Sequence, residues 1–267
     1  MDAPFYIKEA KGEIQPIVIS IPHSGTEFPE DVKSHYVPEQ IAKLDDTDWF
    51  LDQLYDFAPS MGITIIHAKY SRWLIDLNRD PESVPLYNDG RLITGLCSAT
   101  DFLGNQIYRE GFVPDDSEVK RRLNTYYWPY YKKVQEELDK RIDRYGQVLL
   151  WDAHSIREKV PTIRKEAFPE MILGNNEEKT ASKALIDLTL KNLRSDYQVN
   201  HNDPFKGGHI TRYFGNPEAG IHALQLERNK NLYMDDEECN YHQERAQVMA
   251  SLLASNFKDL LAVLKTL

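Results

Sequence analysis

Two segments of this chain place an imidazole where a strand gives way to a loop. Val148-Leu149-Leu150 runs into Trp151-Asp152-Ala153-His154-Ser155, and Ile17-Val18-Ile19-Ser20-Ile21 runs into Pro22-His23-Ser24-Gly25. A histidine in that position is presented at the rim of a sheet, where ligands of α/β proteins bind. The glycine after His23 lets the backbone turn sharply. Two strand-end histidines suggest a metal, because catalytic zinc is held by about three protein ligands from His and Asp/Glu with one position left open. Candidates for the third ligand are Asp45-Asp46-Thr47-Asp48 and Glu27. Spacing alone does not choose among them, and the acidic cluster would serve equally well as the cap of a helix. Ile221-His222-Ala223-Leu224-Gln225-Leu226-Glu227 reads as a further strand. A carboxylate ending such a strand needs either a partner or a chemical role. Glu227 is thus a general base beside the metal or a structural partner of Arg228 or Lys230. Arg72, Arg79 and Arg212 fall at the edges of predicted elements, and guanidinium groups grip carboxylates through paired hydrogen bonds.

Composition narrows the chemistry. Only Cys97 and Cys239 are present, which excludes a cysteine-rich zinc finger and leaves histidines and carboxylates as the metal donors. The net charge of −10 and the absence of a basic run argue against nucleic-acid partners and anionic membranes. Arginines near the site would still draw in an anionic small molecule. No Gly-x-Gly-x-x-Gly turn, phosphate loop or Gly-x-Ser-x-Gly elbow occurs, so nucleotide chemistry and serine hydrolysis have little support. No apolar run reaches the ~18 to 20 residues of a membrane span. Met1-Asp2-Ala3-Pro4 does not read as a signal peptide, and the expectation is a cytoplasmic location.

The elements that must position these residues follow from periodicity and punctuation. The pattern predicts a helix over Asp46 to Pro59, strands at Ile63 to His67 and Arg72 to Leu77, and a long loop over residues 80 to 112. A long helix from Asp115 to Tyr145 follows, kinked at Pro129 and ended by Gly146, with tyrosines and Trp128 packing inward. Beyond it come strands at 147–152, Met171 to Leu173, Tyr197 to Val199 and Ile221 to Glu227, with helices over Lys179 to Leu193 and Asp236 to Leu264. The remaining histidines, His35, His67, His201, His222 and His242, lack a strand-end setting and read as core or surface residues. Strands alternating with helices imply a single α/β domain over residues 1–267, its mixed, mostly parallel sheet covered by helices on both faces.

Taken together, Pro22-His23-Ser24-Gly25, Asp46-Thr47-Asp48-Trp49, Ser71-Arg72, Asp76-Leu77-Asn78-Arg79, Trp151 to Arg157, Phe205-Lys206-Gly207-Gly208, Ile210-Thr211-Arg212 and Gln225-Leu226-Glu227 resemble the N-formylglutamate amidohydrolase family in order from about residue 15 to 240. That family is similar in turn to zinc carboxypeptidases and aspartoacylases. The resemblance implies a zinc-carboxypeptidase-like fold and one zinc ion bound by His23, Asp46 and His154, although His and carboxylate ligands also tolerate manganese, iron or cobalt. Asp46 is preferred to Asp48 because other branches of the family keep an acid only at the first position of that triplet. The resemblance further implies Glu227 as the catalytic carboxylate and Asn78-Arg79, with Arg72 or Arg212, as the residues that hold substrate carboxylates. The expected reaction is hydrolysis of N-formyl-L-glutamate to formate and glutamate in histidine degradation. A related hydrolase acting on another N-acyl amino acid or a peptide C-terminus is the alternative. His209 departs from the family pattern, where tyrosine is more usual, as does Ile172-Leu173-Gly174-Asn175. The sequence leaves the oligomeric state open.

Overall fold

The structure, a computed structural model, describes residues 3–82 and 94–267. Part of the expected loop over residues 80 to 112 therefore lies outside the described residues. Seven strands, β1 (Phe5–Lys8), β2 (Ile17–Ile21), β3 (Thr64–Ala68), β4 (Val148–Ala153), β5 (Met171–Gly174), β6 (Val199–His201) and β7 (Ile221–Arg228), form one sheet in the order β1-β3-β2-β4-β7-β5-β6. The centre, β3-β2-β4-β7, is parallel throughout, whereas β1 runs antiparallel to β3 and β5 antiparallel to β7. The sheet is thus mixed and mostly parallel, as the alternation of strand and helix patterns implies.

Among the described residues, eight helices accompany it: α1 (Glu30–Lys33), α2 (Pro38–Ile41), α3 (Leu51–Leu54), α4 (Asp116–Arg122), α5 (Trp128–Tyr145), α6 (Lys183–Leu193), α7 (His209–Phe214) and α8 (Gln243–Leu264). The period-2 geometry of the strands splits their side chains between two cores. Ile17, Ile19, Trp151, Leu224 and Leu226 face α3, α6 and α8, where Leu185, Leu253 and Phe257 are buried. Val18, Ile66, Leu150 and Ala223 face the other way, against Tyr130, Val134 and Leu138 of α5 and Ile210 and Phe214 of α7. Each fully buried aliphatic or phenyl side chain contributes roughly 1.5–3 kcal/mol.

Three expected elements differ. The Asp46 to Pro59 helix shrinks to α3 followed by a 3-10 turn at Ala58–Met61, because Phe50 takes a left-handed conformation (φ 61°) just before α3. The helix expected from Asp236 begins instead at Gln243. The Asp235 carboxylate accepts bonds from the backbone N–H groups of Cys239 and Asn240, a local alternative to helical bonding. The Arg72 to Leu77 strand is not formed. Ser71 Oγ accepts from Trp73 N, and Asp76 Oδ1 accepts from Asn78 N, folding the segment into consecutive buried turns.

Those turns leave carbonyls that no sheet satisfies, and the aromatic-rich helical stretch, with Tyr36 and Tyr108, supplies the donors. Tyr36 and Tyr108 hydroxyls donate to Trp73 O, Arg122 to Leu74 O, Tyr131 to Leu77 O and Tyr127 to Arg79 O. Between α4 and α5, Leu123–Tyr127 form a π-helical turn immediately before Pro129, which cannot donate an N–H to the preceding turn. The expected kink at Pro129 takes this form.

Candidate active site

The carboxyl ends of β2, β4 and β7 lie side by side, and each leads into a chemistry-bearing residue: His23 two residues beyond β2, His154 immediately after β4, and Glu227 near the end of β7. Gly25 is needed for more than a turn. A Cβ there would sit 2.2 Å from Tyr70 O, so only glycine lets the chain after His23 run against the 69–70 backbone.

His23 and His154 are almost fully buried, with ring centroids 4.8 Å apart. Asp48 Oδ2 lies 3.1 Å from His154 Nδ1 and 3.7 Å from His23 Nδ1, and the three residues offer ligand atoms all within 4.8 Å of one another. Asp48 is drawn in by its backbone N–H, which donates to His23 O at 3.0 Å. The expected third ligand, Asp46, faces elsewhere. Its carboxylate accepts from Trp73 Nε1 at 2.9 Å and from Phe102 N at 3.1 and 3.2 Å, which anchors the loop at residue 102. The residue two positions along the turn, and not Asp46, joins the two imidazoles. Asp48 was one of the acids that spacing left open, and the choice between them depends on how a tight turn rotates successive side chains.

The outward faces of both imidazoles are held by residues that spacing did not single out for this role. His23 Nε2 is 2.7 Å from Asp76 Oδ1, and His154 Nε2 is 3.3 Å from Asp152 Oδ1 and 3.1 Å from Asn78 Nδ2. Asn78 is itself locked, since its Oδ1 accepts from Ile210 N at 2.8 Å and Gly208 passes so close that a Cβ there would lie 2.2–2.5 Å from the amide. Arg72 donates to Asp76 Oδ2 at 2.7 Å while its guanidinium stacks on Phe102, 4.8 Å from the ring centroid. Arg79 bonds Thr94 through its backbone O and Oγ1, and Arg212 Nε donates to Gly207 O. Of the expected substrate-binding residues, Arg72, Asn78 and Arg79 therefore gather around Asp76, while Arg212 stands on α7.

Electrostatics follows from this packing. Burial, reinforced by Arg72, lowers the His23 pKa to about 4 despite Asp76. Burial works the same way on His154, but Asp152 and Asp48 overcome it and hold its pKa well above the ordinary value of 6.5. Burial would raise the Asp48 and Asp76 carboxyls, but His154, His23 and Arg72 pull Asp48 down, and Arg72, Arg79 and His23 pull Asp76 well down. Glu227, half-buried, is pushed by burial up to about 7, with Asp48 adding to the rise and His154 and Arg72 opposing it. Among the described residues its carboxylate accepts one hydrogen bond, a long 3.5 Å contact from Gln225, and forms no ion pair with Arg228 or Lys230, so the structural-pairing alternative falls away. Cys97 and Cys239 are free thiols. His222 bonds Ser182 N and Gln147, and His242 caps α8, in keeping with structural roles.

The donor set fits a divalent metal. Two imidazole nitrogens facing one carboxylate oxygen at 3.1 and 3.7 Å bracket the ~3.3 Å ligand separation of a tetrahedral zinc. Each imidazole also meets a carboxylate on its far side, the usual support of a metal-bound histidine.

An α/β sheet with this cluster outside the carboxyl ends of adjacent parallel strands belongs to the class of proteins that bind small ligands at that rim. Residues 15–234 match the sequence profile of the N-formylglutamate amidohydrolase family. The chain is 38% identical over 250 residues to N-formylglutamate deformylases of Pseudomonas putida and Pseudomonas aeruginosa, covering 92% of this chain and 92% and 93% of theirs. The fold is similar to the crystal structure of N-formylglutamate amidohydrolase from Ralstonia eutropha JMP134, with a TM-score of 0.82, 28% identity and 99% of each chain covered. A gene product of Agrobacterium tumefaciens shares the fold at a TM-score of 0.73 and 16% identity, over 97% of this chain and 96% of that one. The chain belongs to the N-formylglutamate amidohydrolase family.

Proposed function

We propose that the protein hydrolyses N-formyl-L-glutamate to formate and L-glutamate, using one divalent metal ion, zinc by preference, held by His23, Asp48 and His154. The observation that carries this reading is the convergence of those three side chains with Glu227 at one sheet rim, in a chain 38% identical to proteins named N-formylglutamate deformylase. When bound, the metal would polarise the formyl carbonyl and bring the pKa of a water to ~7. Glu227 takes the proton of the attacking water and delivers it to the leaving amine, so that water and amide become formate and a free amino group. Asp76 holds the His23 ring and Asp152 faces Nε2 of His154, which leaves Nδ1 of each ring toward Asp48 to receive the ion. Arginines of the 72–79 segment, with Arg212, bind substrate carboxylate, and that binding energy fixes the formyl group against the water.

The substrate is an anionic small molecule, and with a net charge of −10 neither nucleic acid nor an anionic membrane is a partner in this reading. No helix among the described residues is long and apolar enough to cross a membrane. A place at the end of a histidine degradation route in the cytoplasm accords with this chemistry. Formate release from N-formyl-L-glutamate, measured beside acetate and succinate release from the N-acetyl and N-succinyl compounds, tests the assignment. Release confined to the formyl substrate is expected, and preferential turnover of another acyl group would refute it.

A further inference from the structure

Lys230 is a cation the reaction scheme above leaves unused. It is 2% exposed, three residues beyond Glu227, and opens a short 3-10 turn whose backbone is pinned to the 154–156 segment by Lys230 N donating to Ile156 O at 2.9 Å. Its Nζ donates to one backbone carbonyl, Asp45 O, at 3.3 Å. Among the described residues no carboxylate approaches that ammonium within 4.0 Å. The other cations here are neutralised: Arg157 meets Asp45 at 2.8 Å and Glu238 at 3.2 Å, and Arg72 meets Asp76 at 2.7 Å. A buried ammonium is costly unless paired, and a lone, long carbonyl contact is a poor pairing.

Lys230 also lines a cleft. Asp45, which Arg157 neutralises, and Asp46, Phe102, Ser155 and Arg157 form its other polar and aromatic walls, so the segments that carry Asp48, His154 and Glu227 each also supply a wall. The space is about 20 Å³, room for one water-sized group such as a carboxylate oxygen. Asn78, Arg79 and Arg212 do not line it. Lys230 therefore offers a cationic position apart from theirs.

We propose that Lys230 Nζ binds the side-chain carboxylate of the substrate and so sets the preference for an acidic side chain. The assignment rests on the deformylase reading above. A dicarboxylate needs two cationic positions, and a site built around a buried unpaired charge rejects a ligand that leaves it unpaired.

The test compares kcat/KM for N-formyl-L-glutamate and N-formyl-L-glutamine in the metal-replete wild type, Lys230→Met and Lys230→Arg. In Lys230→Met the preference for the glutamate compound is expected to fall by about 10- to 100-fold, the value of a hydrogen bond to a charged group, with part of it restored in Lys230→Arg. An equal fall on both substrates, or an unchanged ratio, would overturn the proposal, since a purely structural lysine affects both alike. Should Lys230→Met fail to fold, product inhibition of the wild type decides: L-glutamate is expected to inhibit more strongly than L-glutamine, and equal inhibition overturns the proposal. Absence of formate release by the wild type from either compound refutes the deformylase reading instead. Calorimetric binding of L-glutamate to wild type and Lys230→Met then judges Lys230 separately, weaker binding by the variant supporting its role and equal binding refuting it.

Discussion

Glu227 and Asp48 are the two residues on which the account turns. Glu227 sits where burial keeps its carboxyl near neutrality in the metal-free protein, a useful property in a proton carrier and a cost to the fold. Between its ordinary pKa of 4.5 and about 7 the folded chain holds a proton that the unfolded chain has lost, so stability falls as pH rises through that window. Glu227→Gln is therefore expected to raise the Tm of the metal-free protein at pH 8, with no gain at pH 4, while reducing kcat by about 10²- to 10⁴-fold. Calorimetry and formate assays read the two effects, and a lower Tm at pH 8 would contradict the burial argument. For the metal, Asp48→Asn is expected to lose the ion and Asp46→Asn to keep it, because the Asp46 carboxylate is already occupied by Trp73 and Phe102. Metal content by mass spectrometry after gel filtration distinguishes them, and loss in Asp46→Asn alone would restore the expectation drawn from the sequence. The histidines were legible because each ends an apolar strand. The choice of acid was not, since Asp46 and Asp48 lie in a turn whose side-chain directions no periodicity encodes.

At the scale of elements, the segment from Ser71 to Arg79 shows why local pattern misleads. Trp73, Leu74, Ile75 and Leu77 look like a strand, yet Ser71 and Asp76 offer their own side chains to the backbone, and those bonds win once Tyr36, Tyr108, Tyr127 and Tyr131 satisfy the carbonyls. Tyrosine hydroxyls reaching across from another helix are long-range partners, invisible in a window of ten residues. The same consecutive turns deliver Asp76 to His23 and Asn78 to His154. Asp76→Asn is expected to weaken metal affinity by about 10- to 100-fold with His23, Asp48 and His154 intact, measured by competition with a chromogenic chelator; unchanged affinity would remove Asp76 from the support of the site. Where α7 starts, Gly208→Ala would drive a Cβ into the Asn78 amide. Misplacing that amide is expected to lower kcat/KM by about 10²-fold while metal is retained, and unimpaired turnover would show that Asn78 has room to move.

For the molecule as a whole, the mixed sheet follows from the alternation of elements, and the position of the site follows from the sheet. Three parallel neighbours, β2, β4 and β7, are distant in sequence, yet their ends converge because parallel pairing aligns their carboxyl termini. The apolar runs made those strands and β5 readable, whereas β1 and the antiparallel directions of β1 and β5 were not, because direction depends on connections and not on composition. The central claim is that this rim holds a metal on which deformylation depends. Purified protein should release formate from N-formyl-L-glutamate, lose that activity after dialysis against a chelator, and recover it on addition of one equivalent of zinc. Undiminished formate release from protein shown to be metal-free would contradict the account.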